Sequence, residues 1–127
     1  MKYFKYRTHW RTKAAREAEK KAQEARSRKY GIRILAGNVT KPAKYAAVPD
    51  AKFADPVNYR YPLSPQARAI NAVTRFNDIG NKAAGGYNDA EWAKLGGKIA
   101  KENGKGYSYD AKKKIVITPG TAPKEED

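Results

Sequence analysis

"SPQARAINAVTRFNDIGNKAAGGYNDAEWAKLGGKIAKENG", residues 64–104, decides how this chain folds. Ser64-Pro65 reads as an N-cap followed by proline at the first helical position, where a missing N–H costs nothing. The helix that follows is expected to run to about Ile79, with Gly80 ending it. Ile70, Val73, Phe76 and Ile79 recur at three-residue steps, with Ala69 and Ala72 beside them, which makes one apolar face. After a Gly-rich turn over 81–87, Asn88 and Glu91 form a capping-box pattern, and Tyr87 and Trp92 stand where a hydrophobic staple places them. Trp92, Leu95 and Ile99 make the inward face of a second helix closed by Gly104. Gly96-Gly97 inside it costs about 1 kcal/mol per residue relative to alanine, and the pair is expected to admit a neighbouring backbone closely.

Upstream, residues 37–63 carry Pro42, Pro49, Pro56 and Pro62 and little periodicity. Ordinary connections run ~4–6 residues, so this segment is more than a loop. Tyr45, Val48, Phe53, Val57, Tyr59 and Tyr61 argue that it drapes over a surface. Phe53, Tyr61 and Leu63 are expected to turn inward over the seam between the two helices. "IRILA" (32–36) alternates bulky apolar and basic residues and reads as a short strand. "TKAAREAEKKAQEARSRK" (12–29) is a strong helix former with Thr12 as N-cap and Gly31 as left-handed closure. Its apolar stripe is only Ala14, Ala18, Ala22 and Ala25, too thin to bury in a core but suited to close packing. Glu17 with Lys21 and Glu24 with Arg28 are spaced as i,i+4 ion pairs. Residues 1–11 form a cationic aromatic arm. Downstream, Ile115 to Ile117 read as a strand within 113–118, Pro119-Gly120 as a turn, and "KEED" as an acidic tail.

The fold class expected is therefore mainly α: a small helical-hairpin module with a Pro/Tyr-rich draped segment, an N-terminal basic arm and helix, and short strand segments near 32–36 and 113–118. Residues 1–49 would hold the arm, helix and extended linker, 50–104 the two-helix module, and 105–127 a strand-like extension with the acidic tail. The structural core is expected at Phe53, Tyr61, Leu63, Ile70, Val73, Phe76, Trp92, Leu95 and Ile99.

The 127 residues carry 27 Lys and Arg against 13 Asp and Glu, a formal charge of +14. Residues 1–50 supply +10 of it and residues 51–127 only +4. Such an N-terminal excess favours an anionic partner: nucleic acid, an acidic protein surface or anionic lipid. Rings interleaved with cations suit anionic polymers, because aromatic faces stack while Lys and Arg meet phosphates. The candidate binding residues are Lys2, Tyr3, Lys5, Tyr6, Arg7, Trp10, Arg11, Lys13, Arg16, Lys20, Arg26 and Arg28. No apolar run approaches the ~20 residues that span a bilayer, so no membrane partner is expected. The basic start has no secretory apolar stretch, and Glu17, Glu19 and Glu24 argue against a mitochondrial presequence.

Catalytic readings fare poorly. The chain has no cysteine, which removes disulfides, thiolate zinc sites and thiol catalysis. The single His9 has no second histidine or acidic cluster nearby, so neither a metal site nor a Ser/His/Asp set is expected. "AAGGYNDAE" lacks the strand, spacing and lysine of a phosphate loop, and capping accounts for Asp89 and Glu91. The chain is expected to be no enzyme and to use no cofactor.

Residues 50–104 resemble a small uncharacterised domain found in structural proteins of tailed bacteriophages and prophages. The resemblance rests on Asp50, Phe53, Ala54, Tyr61-Pro62, Ala67, Ala72, Arg75, Phe76, Asn77 and Ile99-Ala100. The arm and Gly96-Gly97 lie outside the pattern. The resemblance implies a virion component assembled in the host cytoplasm: a minor capsid, cement or decoration, or head-interior protein. Its partners would be major capsid or other virion proteins in a large assembly, with DNA or RNA against the arm. The alternative is a nucleic-acid-binding protein of a ribosome- or nucleoid-type assembly.

Overall fold

The computed structural model describes residues 12–35, 39–78 and 80–119. Among the described residues there are four helices and two small antiparallel sheets: α1 (Lys13–Tyr30), β1 (Phe53–Asp55), β2 (Arg60–Pro62), α2 (Gln66–Phe76), α3 (Asn81–Gly85), α4 (Asp89–Asn103), β3 (Ser108–Asp110) and β4 (Ile115–Ile117). The arm, Ile79, Gly120 and the acidic tail lie outside the described residues. None of the described helices is long and apolar enough to cross a membrane.

The helical pair is the centre of the fold. At the start of α4, the Asn88 side chain accepts from the Glu91 N–H at 2.8 Å, and Glu91 Oε1 accepts from the Asn88 N–H at 3.0 Å. The capping box thus forms as the spacing predicts. Tyr87 packs on Trp92 across it, ring centroids 5.5 Å apart. Trp92 stacks flat on Phe76 of α2, with centroids 3.9 Å apart and an interplanar angle of 9°. Tyr61 closes edge-on over both rings. Leu63, Ala69, Ala72, Val73, Leu95, Ile99 and Ala100 fill the remaining core. At the far end, the Asn103 amide donates to the carbonyls of Ala69 and Ile99, both at 2.9 Å, tying the last turn of α4 to α2.

Ile70 is a correction: it is 51 % exposed. Residues on a helix advance by about 100° each, so steps of three drift off any one face. Ala69, Ala72, Val73 and Phe76 form the buried stripe of α2 and leave Ile70 rotated toward solvent. The ends of α2 differ too. Pro65 keeps an extended backbone (φ −73°, ψ −176°), so the helix begins at Gln66, with no side-chain cap. It stops at Phe76, and the Asn77 side chain at its C-cap donates to the Val116 carbonyl and accepts from the Val116 N–H. Gly80, at φ 98°, leads into α3, a single helical turn where a loop was expected.

Asn77 thereby docks β4 on the helical pair. β4 pairs with β3, a strand the sequence pattern did not reveal, in a register that sets Tyr109 opposite Val116. Val116 is 1 % exposed, and the Trp92 indole N–H donates to the Lys114 carbonyl at 3.0 Å. Residues 108–117 therefore help build the core they were expected only to extend. Tyr109 sits over Gly96, where an added Cβ would overlap the tyrosine ring and approach Phe76. Gly97 faces open space. The close neighbour of the glycine pair is a side chain, and only one of the two glycines needs the room.

The described part of "IRILA", Ile32–Leu35, is not a strand: it pairs with no strand among the described residues, and Ile32 anchors it by burial. The draped segment is more regular than its composition suggests. Ala43–Tyr45 and Asp50–Lys52 are 3₁₀ turns, and β1 pairs with β2 as Phe53 with Pro62 and Asp55 with Arg60. Leu63 and Val57 join the main core, whereas Phe53, wholly buried, forms a second small cluster with Val48 and Tyr59 beside Tyr45. Phe53 therefore does not cover the helical seam.

Two substitutions at the glycine pair separate packing from helix propensity. Gly97→Ala should raise unfolding free energy by roughly 0.5–1 kcal/mol in denaturant titrations. Gly96→Ala should lower it by roughly 1–3 kcal/mol, because Tyr109 and Phe76 must shift. Phe53→Ala should cost about 3–5 kcal/mol on the same measure, as expected for an aromatic emptied from a closed cluster.

Candidate functional site

Asp55 is wholly buried at the end of β1, and each of its oxygens is occupied. Oδ1 accepts from the backbone N–H groups of Val57 and Asn58, both at 3.0 Å, which is how an Asp-Pro sequence closes a turn on itself. Oδ2 accepts from the Asn58 amide at 2.9 Å and from the Tyr87 hydroxyl. Burial, and then the Asp55 charge, push the Tyr87 hydroxyl far above its usual range, so it stays a donor. Asn58 passes the connection on: its Oδ1 accepts from the Leu35 N–H at 2.9 Å and its Nδ2 donates to the Arg33 carbonyl. Four donors thus occupy the two Asp55 oxygens. Among the described residues no three His, Cys, Asp or Glu side chains gather as a metal site would require.

Glu91 holds the other side of residues 32–35. Its Oε2 accepts from the backbone N–H and Nε of Arg33, each at 2.9 Å, and its Oε1 accepts from Arg33 Nη2 at 2.7 Å. The hydrogen-bonded Arg33 guanidinium is the main reason that its carboxyl is held down to about 2. One residue therefore caps α4 and pins the chain leaving α1.

α1 joins this body along a narrow stripe. Gln23, 3 % exposed, donates to the Val57 carbonyl at 3.2 Å. Arg26 donates to the carbonyls of Pro56, Val57 and Val39 and lies 4.3 Å over the Tyr59 ring. Ser27 and Tyr30 complete the stripe, and Gly31 closes the helix at φ 69° while Thr12 caps its start. Arg26, a candidate partner residue by sequence, is thus spent inside the chain. Lys13, Arg16, Lys20 and Arg28 are exposed, as are Lys21 and Lys29. Ala14, Ala18, Ala22 and Ala25 are exposed as well. Neither Glu17 with Lys21 nor Glu24 with Arg28 closes into an ion pair, since solvated side chains gain little from doing so. Lys2, Tyr3, Lys5, Tyr6, Arg7, Trp10 and Arg11 lie outside the described residues.

A second cationic surface assembles from residues far apart in the chain. Two adjoining depressions, of about 250 and 640 Å³, share Lys44, Tyr45, Tyr61, Pro62 and Arg75 and form one trough. Arg60 and Arg68 add two more cations to its walls, and among the described residues no carboxylate lines it. These residues are scattered over 32 positions of sequence (44–75) and meet only through the β1–β2 hairpin and α2. The one local clue was "YRY" at 59–61.

Comparisons with protein-family models, with curated proteins and with solved structures returned no match to this chain. The surfaces above are what bears on its role.

Glu91→Gln tests the junction through its pH dependence. A carboxyl depressed on folding stabilises the fold fully above its unfolded pKa of about 4.3, and that contribution fades as pH falls toward 2. The variant should be less stable by roughly 1.5–3 kcal/mol at pH 7, and the gap should close between pH ~4.5 and ~2 in denaturant titrations.

Proposed function

We propose that the chain is a non-enzymatic component of a tailed-phage virion: a minor capsid, cement or head-interior protein that grips acidic capsid protein or packaged DNA through its cationic N-terminal region. The observation that carries this reading is the posture of α1. The helix is fixed by one stripe, Gln23 to Tyr30, and turns six cations toward solvent along its length, against exposed Glu17 and Glu24. A helix held in this way is a clamp with one side bolted to the body and the other available. Contact with a polyanion releases condensed counterions, which gives affinity without shape complementarity. The phage context comes from the resemblance of residues 50–104.

A second reading, a nucleic-acid-binding protein of a ribosome- or nucleoid-type assembly, draws support from the ring-and-cation trough. Binding that survives high salt and nuclease on empty capsids selects the virion reading, and binding confined to nucleic acid selects the second.

Replacing Lys13, Arg16, Lys20 and Arg28 by glutamate in the full chain should weaken binding to duplex DNA or capsids at least tenfold while leaving the circular dichroism and melting of the body unchanged. Undiminished binding by that variant would remove α1 from the account.

A further inference from the structure

We propose that the trough between the β1–β2 hairpin and α2 is a binding site for single-stranded nucleic acid. None of the α1 residues lines it, so the site stands or falls apart from the role given to that helix.

The first observation is unbalanced charge. Four cations on the body are balanced by a carboxylate: Arg33 by Glu91, Lys41 by Asp50, Lys52 by Glu102 and Lys82 by Asp89. In the trough, Lys44, Arg68 and Arg75 converge beside Arg60, which donates to the Gly85 carbonyl and the Tyr87 hydroxyl, and among the described residues no carboxylate lines the walls. Asp55, the nearest acid in sequence to Arg60, is buried and committed to its own network. Asp50 is drawn off by Lys41, and Asp78 reaches Tyr61 only through its field. The Arg75 guanidinium makes no hydrogen bond or ion pair among the described residues. Arg68 touches the Ser64 carbonyl at 3.3 Å and lies 4.8 Å over the Tyr45 ring. Converging guanidinium groups fit phosphate oxygens as forks, which a lone ammonium does not.

The second observation is backbone geometry. Tyr59 and Tyr61 hold positive φ, 53° and 59°, a conformation that costs a side-chain-bearing residue roughly 1–2 kcal/mol. In a regular strand successive side chains alternate between faces. The two left-handed residues break that alternation, and Tyr59, Arg60 and Tyr61 all line the same trough. Tyr45 and Tyr61 are half-buried, anchored against Phe53 and against Phe76 and Trp92 respectively. Rings held in this way between cations are a platform for bases whose phosphates meet the arginines. The trough is concave, so an unpaired strand can enter it where the convex backbone of a duplex cannot. An acidic peptide would satisfy the cations but make no use of the rings.

The test uses the full chain with the α1 cations already reversed, so that binding through that helix is removed. Fluorescently labelled oligodeoxythymidine and oligouridine are the probes, which separates DNA from RNA as the source of the strand. Arg68→Glu with Arg75→Glu should weaken binding at least tenfold and lower the log–log salt slope by about two. Lys101→Glu with Lys105→Glu changes the net charge equally at exposed positions off the trough and should cost less than twofold. Tyr45→Leu should weaken binding severalfold without altering the salt slope, since it removes a ring and no charge. Equal losses from the two charge pairs would overturn the proposal. So would competition by duplex DNA or polyglutamate as effective as that by the unlabelled single strand.

Discussion

A buried carboxyl that closes no ion pair among the described residues holds this molecule together. Asp55 is compensated by two backbone N–H groups, an amide and a phenol. Such a group is tolerable inside a protein only when its donors are all in place, and removing one strands a charge at a cost of several kcal/mol. The donors come from the turn after β1 and from the residue before the cap of α4. Asn58 then carries the constraint to residues 33 and 35, and the carbonyls of Pro56 and Val57, fixed by the same turn, receive Gln23 and Arg26 of α1. Four separate stretches of chain thus depend on one side chain. That polar hub fixes orientation, while the Phe76–Trp92 stack beside it supplies the apolar burial.

The arrangement has a consequence for the surface. Because α1 is anchored by hydrogen bonds to loop carbonyls, it needs no apolar face of its own. Its alanines and lysines remain outside, and the charge that would oppose burial in a core is displayed instead. The hairpin that carries Asp55 also carries Tyr59, Arg60 and Tyr61 into the trough. Both cationic surfaces are therefore extensions of the same turn, one held by its carbonyls and the other built on its second strand.

Local signals in the sequence were reliable where a single helix end or face settled the matter. The capping box, the Tyr87–Trp92 staple, Thr12, Gly31 and Gly104 all stand where residue chemistry put them. Val73, Phe76, Leu95 and Ile99 are buried, and Leu63 and Phe53 point inward. Ile70 misled because a three-residue rhythm ignores the drift of a 3.6-residue helix, and small alanines completed the real stripe. β1, β2 and β3 escaped notice because three-residue strands show no alternation, and "RYP" and "SYD" look like turns. "DPVN" announced a local turn, but nothing in it showed that Tyr87 and Leu35, 32 and 23 positions away from their partners, would close on it. The trough was hidden for the same reason, since its cations meet only in three dimensions.

Amide hydrogen exchange of the full chain, with and without saturating duplex DNA, tests the central claim most directly. The outer turns of α1 have only local hydrogen bonds and should exchange quickly in the free protein. The account predicts that DNA slows exchange across residues 13–29 while the α2–α4 core keeps its free rates. DNA-bound protein in which α1 exchanges as fast as before, with protection appearing instead on the exposed side of α4, would contradict it.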